Sequence, residues 1–173
     1  MEALAMSPSV RLQSAQTFIS SFATLSQSSF HSVLSPTFTH DYAPTSLLAA
    51  LSKHGHASRD AFLAHIASVS RLMTGFPVEA KAWAEDEVQN AVWCWAKSKA
   101  EWREEVKDGP EEEWVYEGEY VFMFWMDDEG RIERCVEMLD SGETKGRLLG
   151  LSNRARDNIK KKTGEEVKWL AEE

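Results

Sequence analysis

Residues 116–141, YEGEYVFMFWMDDEGRIERCVEMLDS, contain the pattern that decides the fold. Aromatic and β-branched residues are frequent on both sides of the short segment DDEG at 127–130. Such segments are typical of strands, and aspartate followed closely by glycine is typical of a hairpin turn. The stretch therefore predicts two antiparallel strands, at 114–126 and 132–139.

One face of the first predicted strand carries two hydroxyl groups. Tyr116, Gly118 and Tyr120 share this face, because alternate residues of a strand point the same way. Phe122 and Phe124 continue it, so the face is predicted to be an apolar wall. A glycine within a strand often marks a close approach by another group, which favours a binding wall. The alternative is that the tyrosines fill a half-buried sheet with their hydroxyls in water.

The direction of Glu137 on the second strand is ambiguous. Counting in twos from Ile132 places Glu137 on the face opposite Val136, which is the less core-like face. This alternation favours a solvated carboxylate. In an apolar pocket, desolvation would instead raise the pKa of the glutamate and suit it to acid or base chemistry near neutral pH.

Two further strands and several helices are predicted from periodicity. The strands cover 78–84 and 91–101. Helical spacing of apolar residues predicts five helices, which begin at Ser9, Gln27, Pro44, Ser58 and Ser141. The second should end before Pro36, the third at Leu51, the fourth at Gly75, and the last should bend at Gly150.

The order of these elements predicts the fold class. Helices come first, strands follow and a helix closes the chain, which indicates an α+β fold with a curved antiparallel sheet wrapped around helices. Residues 9–160 are predicted to form one domain, after a flexible lead at 1–8 and before a polar tail at 161–173.

Composition excludes several functions. The 173 residues carry a formal net charge of −9, which repels phosphate backbones and argues against nucleic acid as a partner. Apolar runs are too short to span a membrane, and the N-terminus does not resemble a signal peptide, so a cytoplasmic location is expected. Cys94 and Cys135 are predicted to be reduced and buried, although a disulfide would be possible if their strands paired.

The chain has five histidines, which are candidate metal ligands and acid–base groups. His54 and His56 lack a third ligand at metal-binding spacing, so no metal site is predicted. His65 lies at the border of the apolar stripe of its helix. His40 lies in a polar stretch between helices, predicted to be irregular, and polar residues in loops more often line sites.

The tryptophans predict a second interface. Trp93 and Trp95 share the face opposite Cys94, so both faces of this strand are apolar. Because the helices cover only one face of the sheet, the other is predicted to meet a second copy of the chain in a homodimer.

Taken together, these motifs resemble the SnoaL-like group of the nuclear transport factor 2-like superfamily, in particular isomerases and cyclases of fungal natural-product pathways. The similarity lies in YEGEY at 116–120, the strand that follows it, the turn at 127–132 and EMLD at 137–140. It spans roughly residues 10–160. The chain departs from the pattern at Gly118, where asparagine is common, and at Met138, where phenylalanine is common.

The resemblance implies a cone-shaped α+β barrel around one apolar cavity, usually in a homodimer and without a metal or organic cofactor. It implies acid–base chemistry on a polyketide, terpenoid or alkaloid intermediate. The implied catalytic residues are Glu137, Tyr116 and Tyr120, to which His40 is added because the exit of the second helix lies near the cavity mouth. Asp140 also matches the family's pattern and is predicted to bind substrate. The other predicted substrate-binding residues are His65, Trp95, Phe122 and Phe124.

In this reading Glu137 moves a proton, the tyrosines hydrogen-bond a carbonyl or enolate oxygen, and His40 is a second acid–base group. The resemblance thus overrides the strand alternation that favours a solvated Glu137. Two alternatives stay open because the fold supports many functions: a dehydratase, and a non-catalytic module that binds a small ligand or dimerises.

Overall fold

The computed structural model describes residues 7–50 and 55–168, and it has an α+β fold built on one large sheet. The strands are β1 Leu34–Ala43, β2 His56–Ser58, β3 Met73–Gly75, β4 Val78–Asp86, β5 Ala91–Lys99, β6 Glu101–Trp102, β7 Glu117–Met126 and β8 Ile132–Leu139. The helices are α1 Val10–Ser21, α2 Gln27–Val33, α3 Thr45–Ala50, α4 Arg59–Ser70, α5 Ser141–Glu143 and α6 Leu149–Thr163.

The sheet is mixed rather than antiparallel. Its strand order is β2-β1-β8-β7-β5-β4, and β1 runs parallel to β8 while the other neighbours are antiparallel. The edge strands β2 and β4 do not pair with each other within the described chain, so the curved sheet stays open instead of closing into a cone. The predicted fold class is confirmed, with these two corrections.

Strand β1 is the main element that sequence reasoning missed. The sequence predicts a helix that ends before Pro36 and an irregular stretch after it. In the structure α2 ends at Val33 and the chain passes directly into β1, with a register irregularity between Leu34 and Thr39. Proline cannot donate a ladder hydrogen bond, and this irregularity accommodates it.

The ends of three other elements also differ from prediction. Helix α4 ends at Ser70, and Gly75 lies in β3, where an added Cβ would approach the carbonyl oxygen of Ala23 to 2.3 Å. Trp114 lies in a short 3₁₀ turn ahead of β7. After α5, a π-helical turn at Thr144–Leu148 precedes α6, so the irregularity lies before Gly150.

Packing continues past the predicted domain end at residue 160. Helix α6 runs to Thr163, and Gly164 ends it in the left-handed conformation with φ 77°. Val167 is then buried in the common core, and its carbonyl accepts a hydrogen bond from Arg156. Four regions lie outside the described residues: positions 1–6 of the predicted lead at 1–8, the predicted helix end at Leu51, His54, and residues 169–173.

The core lies between the inner face of the sheet and helices α1, α2 and α4. Phe18 is fully buried at its centre, surrounded by further phenylalanines. Cys94 and Cys135 are buried free thiols, and burial raises the pKa of Cys94 to about 12. None of the described helices has both the length and the hydropathy needed to cross a bilayer.

Candidate active site

A mostly apolar cavity lies between the inner face of the sheet and the helices. About 100 Å³ of its volume is open to the centre of a water molecule. One buried water needs roughly 10–15 Å³ of such volume. The polar side chains that reach it are Tyr42, His65, Tyr120, Glu137 and Thr144. The cavity is therefore large enough for a small organic ligand and offers that ligand few polar partners.

Glu137 and His40 form a buried pair at this cavity. The Nε2 atom of His40 lies 3.1 Å from the Oε2 atom of Glu137, and the two residues are 0% and 7% exposed. Parallel pairing of β1 with β8 explains the contact, because His40 lies opposite Cys135 and Tyr42 opposite Glu137 on the same inner face. His40 thus lies in a strand, and not in the predicted irregular stretch.

The strand alternation gave the wrong face for Glu137. Ile132 and Glu137 are both buried although they are five positions apart, which strict alternation would place on opposite faces. The register between β7 and β8 shifts between Trp125 and Met126, close to Ile132, and this bulge reverses the alternation for the rest of β8. The resemblance, which placed Glu137 at the cavity, is consistent with this geometry.

The two tyrosines are buried, but their hydroxyls bond each other. The Oη atoms of Tyr116 and Tyr120 are 2.6 Å apart, and of the two residues only Tyr120 lines the cavity. A Cβ at Gly118 would lie 2.3 Å from the Tyr116 hydroxyl oxygen. Gly118 therefore admits the neighbouring tyrosine ring, which is the close approach that the sequence indicated, with Tyr116 in place of a ligand.

Three of the four predicted binding residues that do not line the cavity lie on strands β5 and β7. Phe122 and Phe124 point to the same side of the sheet as Tyr120, but they stack in the core next to it. Trp95 points to the opposite face, is 46% exposed and donates to Glu119, so its predicted role in this cavity is corrected. Trp95 points outward because side chains alternate along β5 and its neighbour Cys94 points inward.

Asp140 has a structural partner of its own. Its side chain accepts hydrogen bonds from the backbone N–H groups of Gly142 and Glu143, and so caps α5. It does not line the cavity that contains Glu137. The role of Asp140 at the end of β8 is therefore to cap the helix that follows.

His65 and Tyr42 complete the polar part of the cavity. Burial, assisted by the charge of nearby His40, lowers the pKa of His65 from 6.5 to about 4, so its imidazole is neutral at pH 7. Tyr42 is not among the site residues predicted from the sequence, because the pattern around it does not indicate a strand. Its inward direction follows from the alternation that also turns Phe38 and His40 inward.

Replacing His65 with glutamine should make the protein less sensitive to acid. The folded-state pKa of about 4 lies below the unfolded value of 6.5, so the unfolded chain takes up the proton first and stability is lost as the pH falls through this window. Between pH 7 and pH 4.5, the parent should lose about 2–3 kcal/mol more free energy of unfolding than the variant. Urea unfolding at both pH values measures this, and equal losses would contradict the assignment.

His56 pairs with Asp41 on the neighbouring strand. Its Nδ1 atom lies 2.8 Å from Asp41 on the outer side of β1, where Asp41 also accepts a hydrogen bond from Arg134. Within residues 7–50 and 55–168, no group of three or more histidine, cysteine, aspartate or glutamate side chains is arranged to hold a metal ion.

Comparison with solved structures identifies the fold. BvnE pinacolase from Penicillium brevicompactum matches 84% of this chain and 96% of its own, with 17% identity and a TM-score of 0.69. AusH from Aspergillus nidulans matches 78% and 88%, with 23% identity and a TM-score of 0.63. An NTF2-like protein of unknown function from Burkholderia pseudomallei matches 79% and 95%, with 12% identity and a TM-score of 0.61. The protein has a nuclear transport factor 2-like fold.

No family model and no curated protein matches the sequence, so the likeness is one of structure. The fold is the one that the resemblance in residues 116–141 implied. Within this fold, the chain places a buried imidazole–carboxylate pair beside an apolar cavity.

Proposed function

We propose that the protein is a cofactor-independent isomerase or cyclase that acts by acid–base catalysis on a hydrophobic secondary-metabolite intermediate. The observation that carries this proposal is the buried pair of His40 and Glu137 at the apolar cavity. A buried carboxylate that is hydrogen-bonded to an imidazole and borders a ligand cavity is suited to proton transfer.

The pair supports a reaction in which one proton is moved and returned. The Glu137 carboxylate takes a proton from a carbon next to a carbonyl group; the C–H bond breaks, an O–H bond forms, and the electron pair moves onto the carbonyl oxygen. Return of the proton to another atom of the intermediate completes an isomerisation with no net oxidation. His40 orients the carboxylate through Oε2, and no described side chain or backbone group hydrogen-bonds to Oε1.

The surroundings support this chemistry in two ways. Apolar side chains, including Phe62, Ile66 and Met73, line most of the cavity and limit the access of water to a carbanionic intermediate. BvnE, which has the same fold, is a pinacolase, so an enzyme is a reasonable expectation for this scaffold.

A non-catalytic module that binds a small ligand is the second candidate. It is favoured by the hydrogen bond between the hydroxyls of Tyr116 and Tyr120, because these groups satisfy each other and not a ligand. In that case the cavity would hold an apolar molecule and His40 with Glu137 would serve only to neutralise each other.

Extracts of cells that lack the gene separate the two candidates. Purified protein, dialysed against a chelator, is added to such an extract without nucleotides or metal ions, and metabolites are followed by mass spectrometry. An isomerase or cyclase should consume a compound that accumulates in the deletion strain and form one of equal mass. If the accumulated compound remains unchanged, the enzyme proposal is wrong and the binding module is favoured.

We also infer that the protein is a cytoplasmic homodimer joined through the outer face of the sheet. Trp93 and Trp95 are 42% and 46% exposed there, and Met138 on β8 is also exposed. Exposed apolar patches of this kind commonly form interfaces. Sedimentation at micromolar concentration should give twice the chain mass of 19.6 kDa, and a single species of chain mass would contradict the dimer.

A further inference from the structure

Tyr42 is placed beside Glu137 by the pairing of two strands. The parallel register sets Tyr42 directly opposite Glu137, and both side chains line the cavity. The backbone N–H of Tyr42 donates to Gly55 at 2.7 Å, which ties this end of β1 to the chain ahead of β2. The phenol and the carboxylate therefore enter the cavity as neighbours from adjoining strands.

The ring of Tyr42 is held between two imidazoles. It meets His40 edge to face, with ring centroids 4.5 Å apart and planes at 70°. It meets His65 at 6.5 Å and 86°. Because His40 is itself fully buried against Phe62, this packing restricts the directions that the hydroxyl can take.

The hydroxyl group of Tyr42 is available to hydrogen-bond a ligand. It makes no hydrogen bond within the described part of the chain, in contrast to Tyr116 and Tyr120, which bond each other at 2.6 Å. Burial, followed by the negative charge of Glu137, raises the pKa of Tyr42 above its ordinary value. The phenol thus keeps its proton at neutral pH and is a hydrogen-bond donor.

We infer that Tyr42, and not Tyr116, donates the hydrogen bond that holds the oxygen of the ligand next to Glu137. The ligand class is an apolar molecule that carries one carbonyl oxygen. This inference rests on the proposed function for its chemical meaning: a donor at the carbonyl stabilises the negative charge that develops when Glu137 removes the adjacent proton.

Two probes with one carbon skeleton test the inference. 1-Tetralone carries a ketone and tetralin lacks it, and their dissociation constants are measured by titration calorimetry on the purified protein. The parent should bind 1-tetralone more tightly. In Tyr42→Phe, the affinity for 1-tetralone should fall roughly 3- to 10-fold, as expected for one lost hydrogen bond, while that for tetralin stays within about twofold.

Tyr116→Phe is the matched control, because it removes a phenol hydroxyl that does not line the cavity. It should leave the preference for 1-tetralone unchanged. The inference is overturned if the parent shows no such preference, if Tyr42→Phe retains it, or if Tyr116→Phe loses it instead. Retained tetralin binding shows that the variant is folded.

These outcomes are distinct from a failure of the proposed function. If Tyr42→Phe loses the ketone preference while the deletion extract is not converted, Tyr42 keeps its binding role and the enzyme proposal falls. If the extract is converted but the ketone preference does not depend on Tyr42, the enzyme proposal stands and this inference falls.

Discussion

Replacing Glu137 with glutamine lowers the rate of metabolite conversion by about 10²- to 10⁴-fold, which is the usual contribution of a positioned acid–base group. The amide has nearly the shape of the carboxyl group, so it can keep a contact with Nε2 of His40, now 3.1 Å from Oε2. It cannot accept a proton from carbon at neutral pH. The loss should therefore appear in the rate while the cavity keeps its form.

The measurement is the initial rate in the deletion extract, with parent and variant at equal concentration. Glu133→Gln is the matched control, since it makes the same change on the same strand at an exposed position. It should retain the parent's rate. A Glu137→Gln protein that converts the metabolite as fast as Glu133→Gln would refute the assignment of Glu137 as the acid–base group.

Replacing Phe18 with alanine lowers the free energy of unfolding by about 3–5 kcal/mol, the range observed for the loss of a large buried aromatic side chain. Phe18 is 0% exposed, and its ring centroid lies 5.1 to 6.4 Å from those of its aromatic neighbours. These neighbours are Phe22, Phe30, Phe38, Phe62 and Phe124. They come from helices and strands that cannot all move into the space without breaking other contacts.

Urea unfolding followed by tryptophan fluorescence measures the change. Because domains of this size are commonly stable by only about 5–15 kcal/mol, the loss would be a large part of the total. Val88→Ala removes apolar atoms at a position that is 97% exposed and should change stability by less than about 0.5 kcal/mol. If Phe18→Ala costs less than about 1 kcal/mol, Phe18 is not the centre of the core.

The same aromatic cluster links stability to the site. Phe62 packs on Phe18 with ring centroids 5.6 Å apart and on His40 at 4.9 Å, so it connects the centre of the core to the imidazole that contacts Glu137. Changes at Phe62 would alter both the core packing and the site, whereas Phe18 does not itself line the cavity. Phe18→Ala is therefore the cleaner test of packing.

Local features of this protein were predictable from the sequence alone. Ser9 and Ser58 cap α1 and α4 as expected, since their hydroxyls accept backbone N–H groups three residues ahead. The bounds of β8 and the turn at 127–130 were also predicted correctly. Each depends on residues within about four positions in the chain, where side-chain chemistry and backbone preference act directly.

The meeting of His40 with Glu137 was decided by tertiary structure. The two residues lie 97 positions apart and meet because β1 adds to the sheet in parallel beside β8, a pairing that has no local signal around Pro36. A bulge in β8 next to Ile132 then sets which face carries Glu137. The sequence determined the helix caps, the turn and β8 through short-range chemistry. Strand order and register decided the site, because strand order and register depend on which surfaces pack together across the whole chain.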